Sequence, residues 1–324
     1  MSATLGSKAR ADFTGEDVPT LNEAKGQHYP RLSHVNGSAI TEPKKPKAPT
    51  ENDKEVSLEL EGIAEAPEAI ARCAEDAARD GAHVLVIRNT VKACQQLFEK
   101  VDKSYSLHLK TDIGPVPTPH HSRYCAADRE KLDAEIEHVY GKHEEGEGDD
   151  KRIVRKTDGG VITIATQTVE QSLDIDADLL ITDLCPMDVL LQRIGRLHRH
   201  DREGRRPDGC ETARCVVLTP ATGDLKQSIS PETGKGHPGP GLGSVYSDLR
   251  ILEATWQALK QREQEGIAIP EHNRMLVEQA THPSVLASMK NEDPRWEAHA
   301  QYLKREKREK VLGAKNAQID RSQQ

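Results

Sequence analysis

The chain has 324 residues, 35% of them hydrophobic and 30% charged, and its formal net charge is −8. This polarity excludes a compact core over the whole length, so we expect one or two domains with disordered stretches. The acidic balance gives no global sign of nucleic-acid binding, so any such site must be local. No apolar run reaches the roughly 18 residues of a membrane helix, so we expect a cytoplasmic protein without a membrane partner.

The cysteines are scattered along the chain and form no C-x-x-C pair. They are Cys73, Cys94, Cys125, Cys185, Cys210 and Cys215. This pattern favours reduced thiols that fill the core of a cytosolic protein, and it does not indicate a metal site.

Residues 1–53 are rich in Pro, Gly, Lys and Asp and lack periodicity, so a flexible, disordered linker is predicted there. Val56–Leu60 alternates and predicts the first strand. Pro67–Asp80 predicts an amphipathic helix that ends at Gly81. His83–Arg88 predicts a second strand, followed by a helix to about residue 101.

The corner at Asn89 and Thr90 precedes that helix. Thr90 either serves as an ordinary N-cap or helps the free N–H groups of the helix start to bind an anion. Residues 102–120 look irregular. His121, Ser122 and Arg123 then lead into a helix to about Tyr140, where capping and phosphate contact are both open.

The densest pattern lies between residues 160 and 206. Val161–Ile164 predicts a buried strand, Ala165–Gln167 a corner, and Leu179–Thr182 another strand. After Pro186 a helix is predicted, with Met187, Leu190, Leu191, Ile194 and Leu197 on one face. Gln192, Arg196 and Arg199 would point the opposite way, while Arg193 points sideways and is equally consistent with a salt bridge.

Beyond this region, residues 215–219 predict the last strand. Residues 223–243 are rich in Gly, Pro and Ser and predict a flexible connection, and residues 244–324 predict a helical C-terminal region. Alternating strands and helices over residues 54–222 predict an α/β fold, a parallel sheet with helices on both faces. Ligands of such folds bind at the carboxyl ends of the strands.

Two motifs carry a family resemblance. QRIGRLHR at 192–199, after ATQTVEQSLDID at 165–176, resembles motifs VI and V of superfamily-two helicases. The combination of the sequences EQSLDID and QRIGRLHRH resembles the pattern that is particular to the CRISPR-associated helicase–nuclease family of type I interference systems. The resemblance implies a RecA-like fold, the second motor domain of an ATP-dependent DNA helicase in antiviral defence.

The resemblance also implies roles for individual residues. Arg196 and Arg199 would be arginine fingers, and Gln192 would sense the phosphate. Asp174 would meet the ATP ribose or relay to the arginines, with Ser172 and Gly195 beside the nucleotide. Contacts to single-stranded DNA would come from Asn89, Thr90, His121, Ser122, Arg123, Thr166 and Gln167.

Ser2-Ala3-Thr4 resembles motif III, S-A-T, in which Ser2 and Thr4 would couple hydrolysis to DNA movement; a chance tripeptide is the alternative. The sequence contains no phosphate loop and no D-E-x-H box, and the nuclease domain of the family is not recognised in it. We therefore expect a truncated or split product. ATP and Mg would be held mainly by a first RecA-like domain or its carrier, and the CRISPR guide-RNA effector complex would be a further partner. The alternative is a binding module that holds DNA or the effector complex without hydrolysis.

Overall fold

The computed structural model describes residues 5–27, 34–36, 39–41, 53–146, 152–155, 157, 159–170, 173–202, 206–237, 239 and 241–321. Its strands are β1 (His34–Asn36), β2 (Ala39–Thr41), β3 (Lys54–Glu61), β4 (His83–Ile87), β5 (His108–Thr111), β6 (Gly114–Pro117), β7 (His143–Glu145), β8 (Arg152–Val154), β9 (Val161–Ala165), β10 (Leu179–Asp183), β11 (Ala213–Leu218) and β12 (Ile267–Ile269). Its helices are α1 (Ser7–Thr14), α2 (Leu21–Lys25), α3 (Pro67–Arg79), α4 (Val91–Lys100), α5 (Ala126–Tyr140), α6 (Met187–Ile194), α7 (Leu249–Lys260), α8 (Asn273–Thr281), α9 (Pro283–Ser288) and α10 (Pro294–Arg321). Within these ranges every helix is too short or too polar to cross a lipid bilayer.

Six strands form one sheet in the order β12–β3–β11–β10–β4–β9. In this order, β3, β11, β10, β4 and β9 each run parallel to their neighbours. β12 pairs antiparallel with β3 at the edge of the sheet. All five strands predicted from the sequence lie in this sheet. The predicted α/β class with a parallel sheet is therefore confirmed.

Helices cover both faces of the sheet, and successive side chains of a strand alternate between these two faces. Val84 and Val86 of β4 pack with α3 and α4 in one hydrophobic cluster. Leu85 and Ile87 of the same strand pack with α5, α6, α7 and α8 in the other. A strand buried on both sides reads as a continuous apolar run, which is why β4 and β10 were recognisable from the sequence.

The N-terminal segment is not a linker throughout, so that prediction is wrong for residues 7–25. Helices α1 and α2 lie there, and α2 is closed by a capping box between Thr20 and Glu23. The Ser7 amide and hydroxyl donate to the carboxylate of Glu278 in α8 at 2.8 and 2.7 Å. A partner so distant along the chain leaves no local periodicity, which explains the error.

Three further stretches differ from the sequence prediction. Residues 108–117, expected to be irregular, form the β5–β6 hairpin. The expected flexible connection at 223–243 contributes Leu225, Ile229 and Leu242 to the core that also holds the C-terminal helices. β12 was not predicted, since three residues at a sheet edge give no usable pattern. The division of the chain into domains remains a prediction.

Helix α6 is shorter than the sequence predicts. Its apolar face is buried as expected, but it ends at Ile194 with Gly195 as the C-cap. Arg196 and Arg199 therefore lie in the loop after the helix and do not share a helical face with Gln192. The prediction of one continuous helix that carries all three polar side chains is wrong.

Tertiary hydrogen bonds take over where α6 ends. The Ala177 amide donates to the carbonyl of Arg196 at 2.9 Å, and the His198 amide donates to the carbonyl of Ala177 at 3.0 Å. The Lys54 amine donates to the carbonyls of the last helical residue, at 2.9 Å, and of Leu197. These bonds use the groups that a further helical turn would need.

The guanidinium group of Arg193 is fully buried and joins four parts of the fold. Its Nε donates to Glu170 at 2.8 Å and its Nη1 donates to the hydroxyl of Thr182 at 2.7 Å. Its Nη2 donates to the amide oxygen of Asn89 at 3.1 Å and to the hydroxyl of Tyr246 at 3.2 Å. Of the two interpretations that the sequence left open for Arg193, the salt bridge is the one observed.

Acidic side chains form hydrogen bonds at the amino-terminal ends of the parallel strands, opposite the carboxyl ends. We call this side of the sheet its amino-terminal edge. Asp178 accepts from the amide of His83 at 2.8 Å and from Nη1 of Arg206 at 2.8 Å. Asp176 accepts from Nε of Arg202 and from Nη2 of Arg206. Burial acts to raise the pKa of Asp176, but the guanidinium groups of Arg206 and Arg202 hold that pKa below its usual value.

The six cysteines are free thiols, as the sequence predicts. Burial raises the pKa of Cys94 and of Cys185 to about 12, so both stay protonated and behave as core side chains.

Replacing Arg193 by Met should lower the free energy of unfolding by roughly 3–5 kcal/mol, because Glu170, whose side chain is only 11% exposed, would lose its counter-ion. Urea unfolding followed by circular dichroism measures this change. Arg250→Met is the control, since Arg250 pairs with Asp248 at the solvent-accessible start of α7 and should lose less than about 1 kcal/mol. Equal losses in the two variants would contradict the role given to Arg193.

Stability should fall as the pH is lowered from 7 to 5. Burial lowers the pKa of His83 from 6.5 to about 4. Between pH 7 and pH 5 the His83 side chain therefore takes up a proton in the unfolded chain but not in the folded chain. This residue should account for a loss of about 2 kcal/mol in the free energy of unfolding. Urea unfolding at both pH values measures the loss, which should shrink in His83→Gln. It should persist in His237→Gln, where the side chain is exposed; an unchanged loss in His83→Gln would refute the assignment.

Candidate functional site

The carboxyl ends of β4 and β9 bring the two predicted corners together. β4 and β9 are neighbours in the sheet, so the Asn89 corner and the Thr166 corner emerge side by side. The side-chain amide of Gln167 donates to the carbonyl of Asn89 at 2.9 Å. The Thr166 amide donates to the carbonyl of His120 at 3.0 Å, which adds the chain before α5 to the same place.

Asn89 is part of the scaffold of this corner. Its side chain is 1% exposed, its amide nitrogen donates to the carbonyl of Leu184 at 2.8 Å, and its amide oxygen accepts from Arg193. Its backbone amide donates to the carboxylate of Asp183 at 2.7 Å. With its side chain buried and bonded to protein on both polar atoms, Asn89 positions the corner and is not placed to contact DNA, contrary to the sequence prediction.

The two threonines of the corner differ in exposure. Thr90 is half-buried, and its hydroxyl accepts from the Ala93 amide at 3.1 Å, so the ordinary N-cap is observed. Thr166 is only 3% exposed. A DNA contact by Thr166 would require a close approach of the phosphate to the backbone at this corner. The DNA roles of both residues remain predictions.

The chain before α5 exposes two of its three predicted DNA-contacting residues. Ser122 and Arg123 are exposed. His121 is 4% exposed and stacks on Tyr124 with ring centroids 4.6 Å apart. Burial lowers the pKa of His121, so its ring is neutral near pH 7 and carries no charge toward a phosphate. Of the three, Arg123 is thus the residue that supplies a positive charge to the surface.

Sequence reasoning overlooked His120. Its ring is fully buried between the hydroxyl of Thr168, at 2.5 Å from Nδ1, and the carboxylate of Asp133, at 2.7 Å from Nε2. These contacts join α5 to the 3-10 helix after Thr166 and so hold Arg123 near the corner. The only signal in the sequence was the doublet of histidines, which by itself does not separate a buried from an exposed ring.

A second cluster forms around Asp174. Its carboxylate lies 3.2 Å from Nε of Arg199 and 3.0 Å from Nε2 of His200. The side chains of Asp174 and Arg199 are each 39% exposed. The Nη atoms of Arg199 make no hydrogen bond to any residue in the described ranges. Because Nε is paired with Asp174, the planar guanidinium group of Arg199 can present its two Nη groups as hydrogen-bond donors to a ligand outside this chain.

Asp174 and Asp176 do not act as a carboxylate pair. Asp176 is fully buried and accepts from the Arg199 amide at 2.7 Å, whereas Asp174 faces the surface. The two carboxylates therefore lie in different environments, in agreement with the expectation that these i,i+2 neighbours would point apart.

Arg196 is held inside the lobe. Its Nη2 donates to the carbonyl of Glu170 at 2.8 Å and its Nη1 donates to the carbonyl of Leu173. Burial lowers the pKa of Arg196, which nevertheless stays charged near neutral pH. Arg196 thus closes the loop between the 3-10 helix and Asp174, and it would have to release these carbonyls to reach a phosphate.

The remaining predicted positions are less informative. Gln192 and Gly195 are exposed at the end of α6. Ser172, Ser2 and Thr4 lie outside the described residues.

This arrangement fits part of a nucleotide site. Arg199 has free donors for phosphate oxygens, and the neighbouring Asp174 has the acceptor chemistry for a ribose hydroxyl. In the described ranges, no group of three or more acidic, histidine or cysteine side chains is arranged to hold a metal ion.

Comparisons with known proteins show similarity in sequence and in fold. Residues 80–202 match the family model Cas3-like C-terminal, described as CRISPR-associated nuclease/helicase Cas3, C-terminal. The CRISPR-associated endonuclease/helicase Cas3 of Escherichia coli (strain K12) is 29% identical over 223 residues, which is 68% of this chain and 21% of that protein. A crystal structure of a CRISPR-associated protein is 27% identical with a TM-score of 0.65, over 95% of this chain and 31% of that chain.

The structure of T. fusca Cas3–ADP is 23% identical with a TM-score of 0.61, over 94% of this chain and 34% of that chain, and it shows likeness of fold. The chain thus spans about a fifth of the length of the curated relative and about a third of these structures. The family recognised from motifs V and VI is confirmed for the matched part of the chain: residues 80–202 match the Cas3-like C-terminal family.

Proposed function

We propose that this chain is the second motor lobe of an ATP-dependent, CRISPR-associated DNA helicase that acts in type I interference, an antiviral defence. The observation that carries the proposal is Arg199, anchored on Asp174 at the surface with both Nη groups available. Phosphoryl transfer spreads negative charge over oxygens, and a guanidinium fork supplied from a second lobe stabilises that charge when the cleft closes.

The proposal assigns the nucleotide contacts as follows. Arg199 is the arginine finger, and Asp174 orients it and accepts from the ribose. Gln192 and Gly195 line the same side of the nucleotide, and the family resemblance assigns Ser172 to the nucleotide as well. Arg196 is a second finger only after it exchanges the carbonyls of Glu170 and Leu173 for phosphate oxygens. Mg and the phosphates are held mainly by a first RecA-like lobe, which ATP bridges to this one.

Single-stranded DNA binds along the carboxyl edge of the sheet in this proposal. Arg123 and Ser122 contact the backbone phosphates from the start of α5, and Thr90, Thr166 and Gln167 contact them from the corners. Asn89 and His121 support these contacts from below the surface. The low aromatic content of the chain, 3%, favours phosphate contacts over base stacking. Ser2 and Thr4 would couple hydrolysis to DNA movement.

The partners are the first RecA-like domain or the polypeptide that carries it, and the CRISPR guide-RNA effector complex, which would act with this lobe in the cytoplasm. The second candidate is a binding module that holds DNA or the effector complex without hydrolysis. One observation favours that alternative: both terminal nitrogens of Arg196 are engaged within the lobe.

DNA-stimulated ATP hydrolysis separates the two functions. With a first RecA-like lobe added as a separate polypeptide, turnover should be restored, and Arg199→Ala should reduce kcat by roughly 10³-fold or more. Arg295→Ala is the matched control, because Arg295 has a similar exposure, 36%, and a similar distance of 3.4 Å to Asp293. It should leave turnover unchanged. Hydrolysis by the isolated chain, or full activity of Arg199→Ala, would contradict the motor proposal.

DNA binding has a separate test. Arg123→Ala should weaken binding of a single-stranded oligonucleotide about equally for all sequences and reduce the slope of log K against log salt by about 0.7, because one phosphate contact is lost. Fluorescence anisotropy over a series of salt concentrations measures both quantities. Lys131→Ala removes an exposed charge farther along α5 and should change neither. The same slope in wild type and Arg123→Ala would refute the contact.

A further inference from the structure

A cavity of about 490 Å³ opens at the amino-terminal edge of the sheet, the edge opposite the Thr166 corner. Its walls include Asp80, His83, Arg155, Arg202 and Arg206. The helicase function proposed above makes no use of this edge. Three arginines and one aspartate line this cavity.

Two guanidinium groups in this cavity have donors without acceptors. Arg202 is 4% exposed, and its Nε donates to Asp176, but its Nη2 is buried and has no hydrogen-bond partner. Arg155 donates through Nη2 to Asp178, while its Nε is buried and also without a partner. A buried donor on a charged group that lacks an acceptor is destabilising, so such atoms indicate a place for an acceptor.

The carboxylates nearby are already engaged. Asp178 accepts from Arg155, Arg206 and the His83 amide. Asp176 accepts from Arg202, Arg206 and the Arg199 amide. Within the described residues, three guanidinium groups thus face two buried carboxylates, which leaves one positive charge in excess. Asp80 lies in the wall of the cavity but is exposed to solvent.

The ring of His83 adds a neutral donor or acceptor. Burial lowers its pKa to about 4, so it carries no charge near neutral pH. Its Nδ1 is buried without a partner. The orphan donors of Arg155 and Arg202 approach one cavity from different elements, and an anion with several oxygens is the acceptor that can meet them together.

We propose that this cavity binds a phosphate group. Arg202 and Arg155 donate to its oxygens, and Arg206 holds the two aspartates that orient both arginines. The phosphate comes either from a free ion or nucleotide or from the backbone of a nucleic acid. This site is separate from the Arg199 surface and from the DNA contacts proposed at the carboxyl edge, and it does not depend on the helicase function.

Titration of the full chain with inorganic phosphate at constant ionic strength tests the proposal, with the ³¹P resonance of phosphate and calorimetry as independent readouts. Saturable binding is expected. Arg155→Met and Arg202→Lys should each weaken it by about tenfold or more, because each removes an oriented donor. Circular dichroism and urea unfolding verify that the variants are folded, and Arg155→Met, which alters a side chain with 12% exposure, is the milder change.

Arg214→Met is the matched control. Arg214 forms a two-bonded ion pair with Glu59, away from the cavity, and its loss should leave phosphate binding unchanged. Absence of saturable binding overturns the proposal. So does equal binding by wild type, Arg155→Met and Arg202→Lys.

A competition experiment identifies the source of the phosphate. If a short single-stranded oligonucleotide displaces inorganic phosphate in Arg123→Ala, which keeps the cavity intact, the cavity takes a backbone phosphate. If phosphate stays bound in the presence of the oligonucleotide, the cavity takes a free phosphate ion or nucleotide. Both results support the site, and each names one source.

Discussion

Arg193 places a positive charge where water does not reach it, and the fold tolerates that charge because four polar side chains and the carbonyl of Asp183 surround it. Glu170 neutralises the guanidinium group, and Thr182, Asn89 and Tyr246 accept from its remaining donors. These partners belong to the loop after β9, to β10, to the corner after β4 and to the segment before α7. Arg193 therefore ties the corner after β4 to the loop after β9, and removal of a single partner leaves a buried charge unsatisfied.

The arginines of one short motif have different tasks in this fold. Arg193 is buried, Arg196 binds the carbonyls of the loop that leads to Asp174, and Arg199 reaches the surface. This division follows from the end of α6, since the chain leaves the helix at Gly195 and turns so that successive arginines face different surroundings. Preorganisation of this kind is what electrostatic catalysis requires, because a guanidinium group already in place needs no reorganisation when charge develops.

The two edges of the sheet are linked through the segment between Asp174 and Asp178. Asp174 holds the side chain of Arg199, and Asp176 holds its backbone amide. Asp176 also binds Arg202 and Arg206 at the amino-terminal edge. The position of Arg199 is thus connected by hydrogen bonds to the proposed phosphate cavity. Because the contacts of Asp176 with Arg202 and Arg206 are buried and charged, a ligand that alters them acts on the same network that positions Arg199.

The sequence by itself determined the sheet and the family. Apolar runs such as those of β4 and β10, and the ordered motifs at 165–176 and 192–199, are local patterns that keep their meaning without a structure. Only the tertiary structure decided where α6 ends, because Lys54 and Ala177 supply the hydrogen bonds that stop it. It also decided that Asn89 is buried while Arg123 is exposed. The burial of a side chain and its hydrogen-bond partners depend on residues far apart in the chain, so they cannot be predicted from the spacing of neighbouring residues.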